Sequence, residues 1–239
     1  MFGKNPVRKA EHELDGQQLW VQDVFGTLQG EGPFAGQSSV FIRLAGCNLR
    51  CHFCDTDFES STWTPSLPEL LERVTKEKEK VPRAQLIVLT GGEPMRQNIV
   101  PLCFALLRRG FTVQIETAGT LWPTDMANLM RRSKGRMVLV CSPKTPVIHP
   151  RVRAYCRVYK YICKAGDLSD KDGLPAMSTQ MIGMPAILAR PSAGAVVYVN
   201  PMDEVDPVLN KANLTAAADS AMWFGHRLGL QIHKIAMLP

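Results

Sequence analysis

The sequence predicts an α/β fold, a partial TIM-like β/α barrel left incomplete at about six parallel strands. Three observations lead there. Short apolar runs that read as buried strands alternate with helical stretches. Three of these runs end in small or polar residues, at Gly91-Gly92-Glu93-Pro94, Thr117-Ala118-Gly119-Thr120 and Ser142-Pro143-Lys144, as expected where strand ends line one mouth. The β/α steps also number too few for the eight of a closed barrel. A chain of 239 residues with 45% hydrophobic content can bury one full core, so residues 19–239 read as a single domain behind a flexible, polar N-terminal arm over residues 1–18.

The elements follow in order. Leu19 to Phe25 reads as the first strand, the glycine-rich Leu28-Gln29-Gly30-Glu31-Gly32-Pro33 as a loop, and Ser39 to Leu44 as a strand entering a cysteine-rich loop. Ser66-Leu67-Pro68-Glu69 has capping-box spacing, and Leu67, Leu70, Leu71 and Val74 give the helix behind it one apolar stripe. Strands are then expected over Leu86 to Thr90, Thr112 to Glu116, Met137 to Cys141, Val158 to Ile162, Ala195 to Asn200 and Leu230 to Ile235, with a long helix between Pro207 and Leu228.

Composition narrows the class. The net charge of +6 is spread along the chain; the short clusters at Arg131, Arg132, Lys134 and Arg136, and at Arg151, Arg153 and Arg157, carry no nucleic-acid-binding signature. No apolar run reaches the ~20 residues of a membrane span, no signal peptide precedes the first strand, and seven cysteines is an odd number. These features point to a reducing, cytoplasmic setting with no membrane and no nucleic-acid partner. Cys103, Cys141, Cys156 and Cys163 have irregular spacing and apolar neighbours, and read as packing residues.

The segment Cys47-Asn48-Leu49-Arg50-Cys51-His52-Phe53-Cys54 is the most informative. Three thiols at C-x3-C-x2-C supply one ligand too few for a closed tetrahedral metal site, whereas a four-iron cluster held by three thiolates keeps one iron open to a small molecule. A zinc ion using His52 as fourth ligand is the alternative from these residues alone. At Gly91-Gly92-Glu93-Pro94, two glycines let backbone approach a ligand closely and a carboxylate can accept from an ammonium group.

With Phe53 before the last cysteine and this GGEP at a strand end 37 residues after Cys54, the chain resembles the radical S-adenosylmethionine (SAM) superfamily. The segments Thr27 to Gly32, Phe41 to Leu49, Cys54-Asp55-Thr56 and Leu230 to Lys234 resemble more specifically the 7-carboxy-7-deazaguanine synthase family. The resemblance is densest before residue 60 and thinnest from Pro146 to Val196. It implies a radical SAM core carrying a 4Fe-4S cluster on Cys47, Cys51 and Cys54, with S-adenosyl-L-methionine and Mg2+ as further cofactors. It implies a lyase that converts 6-carboxy-5,6,7,8-tetrahydropterin to 7-carboxy-7-deazaguanine with loss of ammonia, on the route to queuosine and related deazapurines. No side chain is then the catalyst; cluster and adenosyl radical do the chemistry.

Carried over by position, Phe53, Cys54, Asp55, Gly91, Gly92 and Glu93, with Ser142, Pro143 and Lys144, are expected around S-adenosylmethionine, and Thr56 on magnesium. Leu28, Gln29, Gly30, Glu31 and Thr90 are expected to grip the pterin, Arg43 to pair with its carboxylate through a two-pronged bond, and His233 and the carboxylate of Pro239 to lie nearby. The expected partners are this small molecule, an electron donor such as flavodoxin or ferredoxin, and a second copy of the chain. The alternative is a radical SAM activating enzyme that makes a glycyl radical on a partner protein. Gln29, Arg43 and Pro239 argue for the small anionic heterocycle, having no evident use against a peptide.

Overall fold

The computed structural model describes residues 3–54 and 56–238. The first hairpin sets up the site. β1 (Val21–Leu28) pairs antiparallel with β2 (Ser38–Leu44), because the connection over 29–37 is shorter than the roughly dozen residues a parallel crossover needs. β2 is followed by the cysteine loop and then α1 (Leu67–Lys80), where Glu69 closes the expected capping box by accepting from the Ser66 backbone N–H at 2.8 Å.

From there strand and helix alternate: β3 (Leu86–Gly91), α2 (Val100–Arg108), β4 (Thr112–Thr117), α3 (Met126–Arg132), β5 (Met137–Cys141), α4 (Pro150–Tyr155), β6 (Val158–Cys163) and β7 (Val196–Pro201). After α5 (Pro207–Phe224) come a two-residue β8 (Arg227–Leu228) and one turn of helix, α6 (Ile232–Ile235). The eight strands form one sheet in sequence order, and β2 to β8 run parallel. β1 and β8 stand at opposite edges, so the barrel is open. Strands β2 to β7 are the six parallel strands of useful length.

Alternation along each strand decides what each face does. Ile42, Leu44, Leu89, Ile115 and Tyr159 are buried in the core, while Phe41, Arg43, Thr90, Glu116 and Lys160 face a concave cavity at the strand ends. Cys103, Cys141, Cys156 and Cys163 lie in or against this core and are fully buried. No described helix is long and apolar enough to cross a membrane.

The C-terminal region corrects one expectation. Leu230 to Ile235 is not a strand. Sheet pairing stops at Leu228; the Gly229 N–H still donates to Val199 C=O, but the Ile232 N–H donates to Gly30 C=O at 3.1 Å and turns the chain across the mouth. The period-2 pattern there is overridden by a contact to a residue about two hundred positions earlier. The long helix likewise ends at Phe224, where Gly225 takes φ 72° and closes it.

The N-terminal segment, expected as an arm, runs along the cysteine loop. The Arg8 N–H donates to Cys47 C=O at 2.7 Å and the Glu11 N–H to Arg96 C=O at 2.6 Å. Arg96, 1% exposed, returns a 3.0 Å bond to Lys9 C=O and a 3.0 Å ion pair to Glu11.

Candidate active site

One cavity of about 760 Å³ opens at the carboxyl ends of the strands, and Cys47, Cys51 and Cys54 line it together. All three are partly exposed, in contrast to the other four cysteines. Gly46 enters the loop at φ 78°, where a Cβ would meet the Arg96 guanidinium. Burial, reinforced by the nearby Glu93 charge, pushes the Cys47 thiol up to about 12, so without iron it carries its proton. Among the described residues no three His, Cys, Asp or Glu side chains converge closely enough for a single metal ion. A four-iron cluster, whose thiolates bind separate irons, fits this spread of sulfurs better than one zinc ion.

The GGEP turn has a different internal logic from the one expected. Gly91, at φ 127°, and Gly92 let the end of β3 close onto β2, since a Cβ on either would overlap the backbone of Leu44 or Gly46. Both glycines line the cavity. Glu93 was expected to receive an ammonium group, but its buried carboxylate accepts from Thr117 Oγ1 and the Ala118 N–H, each at 2.8 Å, and from the Met95 N–H at 3.0 Å. Three of its roughly four acceptor positions are taken inside the protein, so it ties β3 to β4.

Phe53 and Lys144 stand between this cavity and a second one of about 250 Å³, with the Lys144 Nζ 5.7 Å from the Phe53 ring centre and 2.5 Å from Ser142 Oγ. Pro143 lines only the second cavity. Burial lowers the Lys144 ammonium below its ordinary range.

The cavity of the three thiols is also lined by Leu28, Gln29, Glu31, Arg43, Thr90 and His233. The Arg43 guanidinium sits 5.5 Å over the Phe25 ring, and its buried Nε has no hydrogen-bond partner among the described residues. A buried donor of that kind fits a carboxylate arriving from the cavity. Thr56 lines the same space. Asp55 and Pro239 lie outside the described residues.

Two groups escaped the sequence reading. Lys160 on β6 bonds Glu31 and Glu116 at once, the latter at 3.3 Å; Gln29 and Gln114 donate to Glu116 at 3.1 and 2.9 Å, and Gln231 donates to Glu31 at 2.9 Å. Burial alone would raise the Glu31 carboxyl, but the Lys160 ammonium outweighs it and brings it down to about 2. Burial opposes the Lys160 charge too, and Glu116 with Glu31 hold it above its ordinary value. A signal was present: a lysine between two tyrosines in an otherwise buried strand wants a partner. With two carboxylates and one ammonium, this wall suits a ligand edge rich in N–H groups.

The comparisons agree with this geometry. Residues 41–186 match the family model described as the Radical SAM superfamily. The chain is 50% identical to the 7-carboxy-7-deazaguanine synthase of Rhodospirillum rubrum over 98% of both chains. The chain belongs to the 7-carboxy-7-deazaguanine synthase family. It is also 37% identical to the 7-carboxy-7-deazaguanine synthase of Rickettsia prowazekii, over 98% of this chain and 94% of that one. The fold matches the crystal structure of QueE from Escherichia coli with a TM-score of 0.62 at 22% identity, covering 90% and 94% of the two chains. As a radical SAM enzyme of this family, the chain is built for a 4Fe-4S cluster on Cys47, Cys51 and Cys54 and for S-adenosylmethionine. Identity over the whole length leaves the glycyl-radical activating enzyme without support.

Proposed function

We propose that this chain makes 7-carboxy-7-deazaguanine from 6-carboxy-5,6,7,8-tetrahydropterin with loss of ammonia, in queuosine and deazapurine biosynthesis. The observation that carries the reading is Arg43, which lines the cavity that holds the three thiols and keeps a buried Nε without a partner among the described residues. In this reading Arg43 grips the substrate carboxylate in a planar two-pronged bond. Gln29, Glu31 and Glu116 read the pterin N–H and amino edge, with Lys160 bonded to both carboxylates. His233 borders that edge, with Gly30 packed beneath its ring, and Leu28 and Thr90 line the same cavity. When bound, the cluster and S-adenosylmethionine supply one-electron chemistry that removes and returns a hydrogen atom at the carbon bearing the carboxylate. Phe53, Asp55, Gly91 and Gly92, with Ser142, Pro143 and Lys144, hold that cofactor, Phe53 and Lys144 lying where the two cavities meet. Glu93 supports them from beneath through the β4 loop.

Thr56 would supply one oxygen to Mg2+, an ion that accepts few protein ligands. A low-potential donor such as flavodoxin or ferredoxin reduces the cluster. The enzyme is cytoplasmic and homodimeric, with a single domain from residue 19 behind the N-terminal arm, whose residues 3–18 run along it. Support for a second copy comes from α5, whose outer surface leaves Val208, Met222 and Trp223 exposed at 77%, 73% and 81%.

Anaerobic reconstitution followed by incubation with 6-carboxytetrahydropterin, S-adenosylmethionine and a reductant tests the function. Mass analysis should find 7-carboxy-7-deazaguanine and little net consumption of S-adenosylmethionine. A fully loaded cluster that cleaves S-adenosylmethionine but leaves the pterin unchanged would reject this substrate.

A further inference from the structure

The stretch of sequence with the least legible pattern reaches the cluster loop. Residues 176–186 form a small hairpin, in which the Ser178 N–H donates to Met184 C=O at 2.7 Å and the Ala186 N–H to Ala176 C=O at 2.8 Å. Its tip, Thr179-Gln180, lies on the cysteine loop. The His52 N–H donates to Thr179 C=O at 3.0 Å, and the Arg50 N–H to Gln180 Oε1 at 3.2 Å. Gln180 Nε2 donates to Cys51 Sγ at 3.4 Å and to Thr179 Oγ1 at 2.8 Å, and that hydroxyl passes its own proton to Lys144 C=O at 2.6 Å.

These bonds decide which way the amide points. Arg50 offers only a donor, so it must meet the oxygen; the Thr179 hydroxyl has committed its proton to Lys144 and can only accept, so it must meet the nitrogen. The remaining N–H is therefore aimed at sulfur. Gln180 is exposed on its outer side, yet these bonds hold its polar end against Cys51.

We infer that Gln180 is a positioning residue that raises the reduction potential of the cluster through an N–H···S bond to the Cys51 thiolate. When a low-potential donor adds one electron to the cluster, negative charge spreads onto its sulfurs, and a hydrogen bond to a sulfur stabilises the reduced form more than the oxidised one. The same hairpin lines the second cavity through Met177, Ser178 and Ile182. The inference rests on the cluster being held by Cys47, Cys51 and Cys54.

Gln180→Met tests it, because methionine keeps the length and cover of the side chain without an N–H or a charge. Iron and sulfide content is measured first; a wild-type protein that takes up no cluster overturns both the cluster and the inference. With clusters loaded, potentiometric titration followed by electron paramagnetic resonance should show a more negative midpoint for Gln180→Met. We expect a ratio of reduced to oxidised cluster roughly threefold lower at fixed potential, about 28 mV at about 59 mV per tenfold for one electron. An unchanged midpoint in a fully loaded Gln180→Met overturns the inference, even if Gln180→Glu, which adds a charge, is shifted. If Gln180→Met does not load, the wild type decides: protein with nitrogen-15 in its glutamine side-chain amides should show a nitrogen coupling to the reduced cluster, and its absence overturns the bond.

Discussion

The His233 imidazole lies directly over Gly30, so close that a Cβ on that glycine would overlap the ring. The contact joins the β1–β2 loop to the last turn of helix across the mouth of the cavity, and the 3.1 Å bond from the Ile232 N–H to Gly30 C=O reinforces it. Burial holds the imidazole below its ordinary range, so it is neutral at pH 7. Gly30→Ala should displace His233 and α6 and raise the KM for the pterin about tenfold, a loss of ~1.4 kcal/mol. Adding His233→Ala removes the overlap, so thermal melts of the two single variants and the double should show coupling of about 0.5 to 3 kcal/mol. Additive losses would mean that the ring and the glycine are independent.

Arg43 can be separated from the cluster by kinetics. Arg43→Lys keeps a positive charge but loses the planar fork, so affinity for the pterin should fall about tenfold or more while cleavage of S-adenosylmethionine without substrate stays near wild type. Equal loss of both activities would place Arg43 in the cluster support instead.

Lys160 is the only ammonium that bonds both Glu31 and Glu116 among the described residues. Lys160→Met leaves the buried Glu31 and the half-buried Glu116 without their shared ammonium and should cost about 3 to 5 kcal/mol by denaturant unfolding. Adding Glu31→Gln should recover part of it. The sign with pH follows from Glu31, depressed from 4.5 to about 2 in the folded wild type. Its ionised form contributes stability that is fully present above about 4.5 and is lost as pH falls toward 2. In Lys160→Met the largest opposition to burial is gone, leaving the Gln231 hydrogen bond and His233, and the carboxyl moves up from there. The gap between wild type and variant should therefore be widest near pH 7 and shrink on acidification below about 4.5; a gap that stays constant would show that packing, not charge, was lost.

The cysteines divide into two sets with different expected losses. Alanine at Cys47, Cys51 or Cys54 should abolish the brown chromophore, whereas alanine at Cys103 or Cys163, both fully buried, should leave it and lower the melting temperature modestly. Because the Cys47 thiol sits up at about 12, iron must displace its proton, and cluster assembly at limiting iron should improve as pH rises from 7 to 9. Iron content that does not vary with pH would contradict that protonation state.

What local pattern could determine, it did: the alternation of buried strands and helices, the six parallel strands from Ser38 to Pro201, the Ser66–Glu69 cap, and the C-x3-C-x2-C loop with its glycine turn at residues 91–92. Each of these is written in periods of two or 3.6 residues or in spacings of a few residues, and needs no knowledge of the rest of the chain. Other features depended on partners that no local period encodes. Glu93 looked like a ligand group until Thr117 and Ala118, on the next strand, took its oxygens. Leu230 to Ile235 alternates like a strand, yet a backbone bond to Gly30 made it a turn and a helix. Lys160 meets Glu31 across 129 positions and Gln180 meets Cys51 across another 129. Such pairs form because a twisted open sheet brings its strand ends and their loops to one mouth, where burial makes each polar group find whichever partner the fold has placed there.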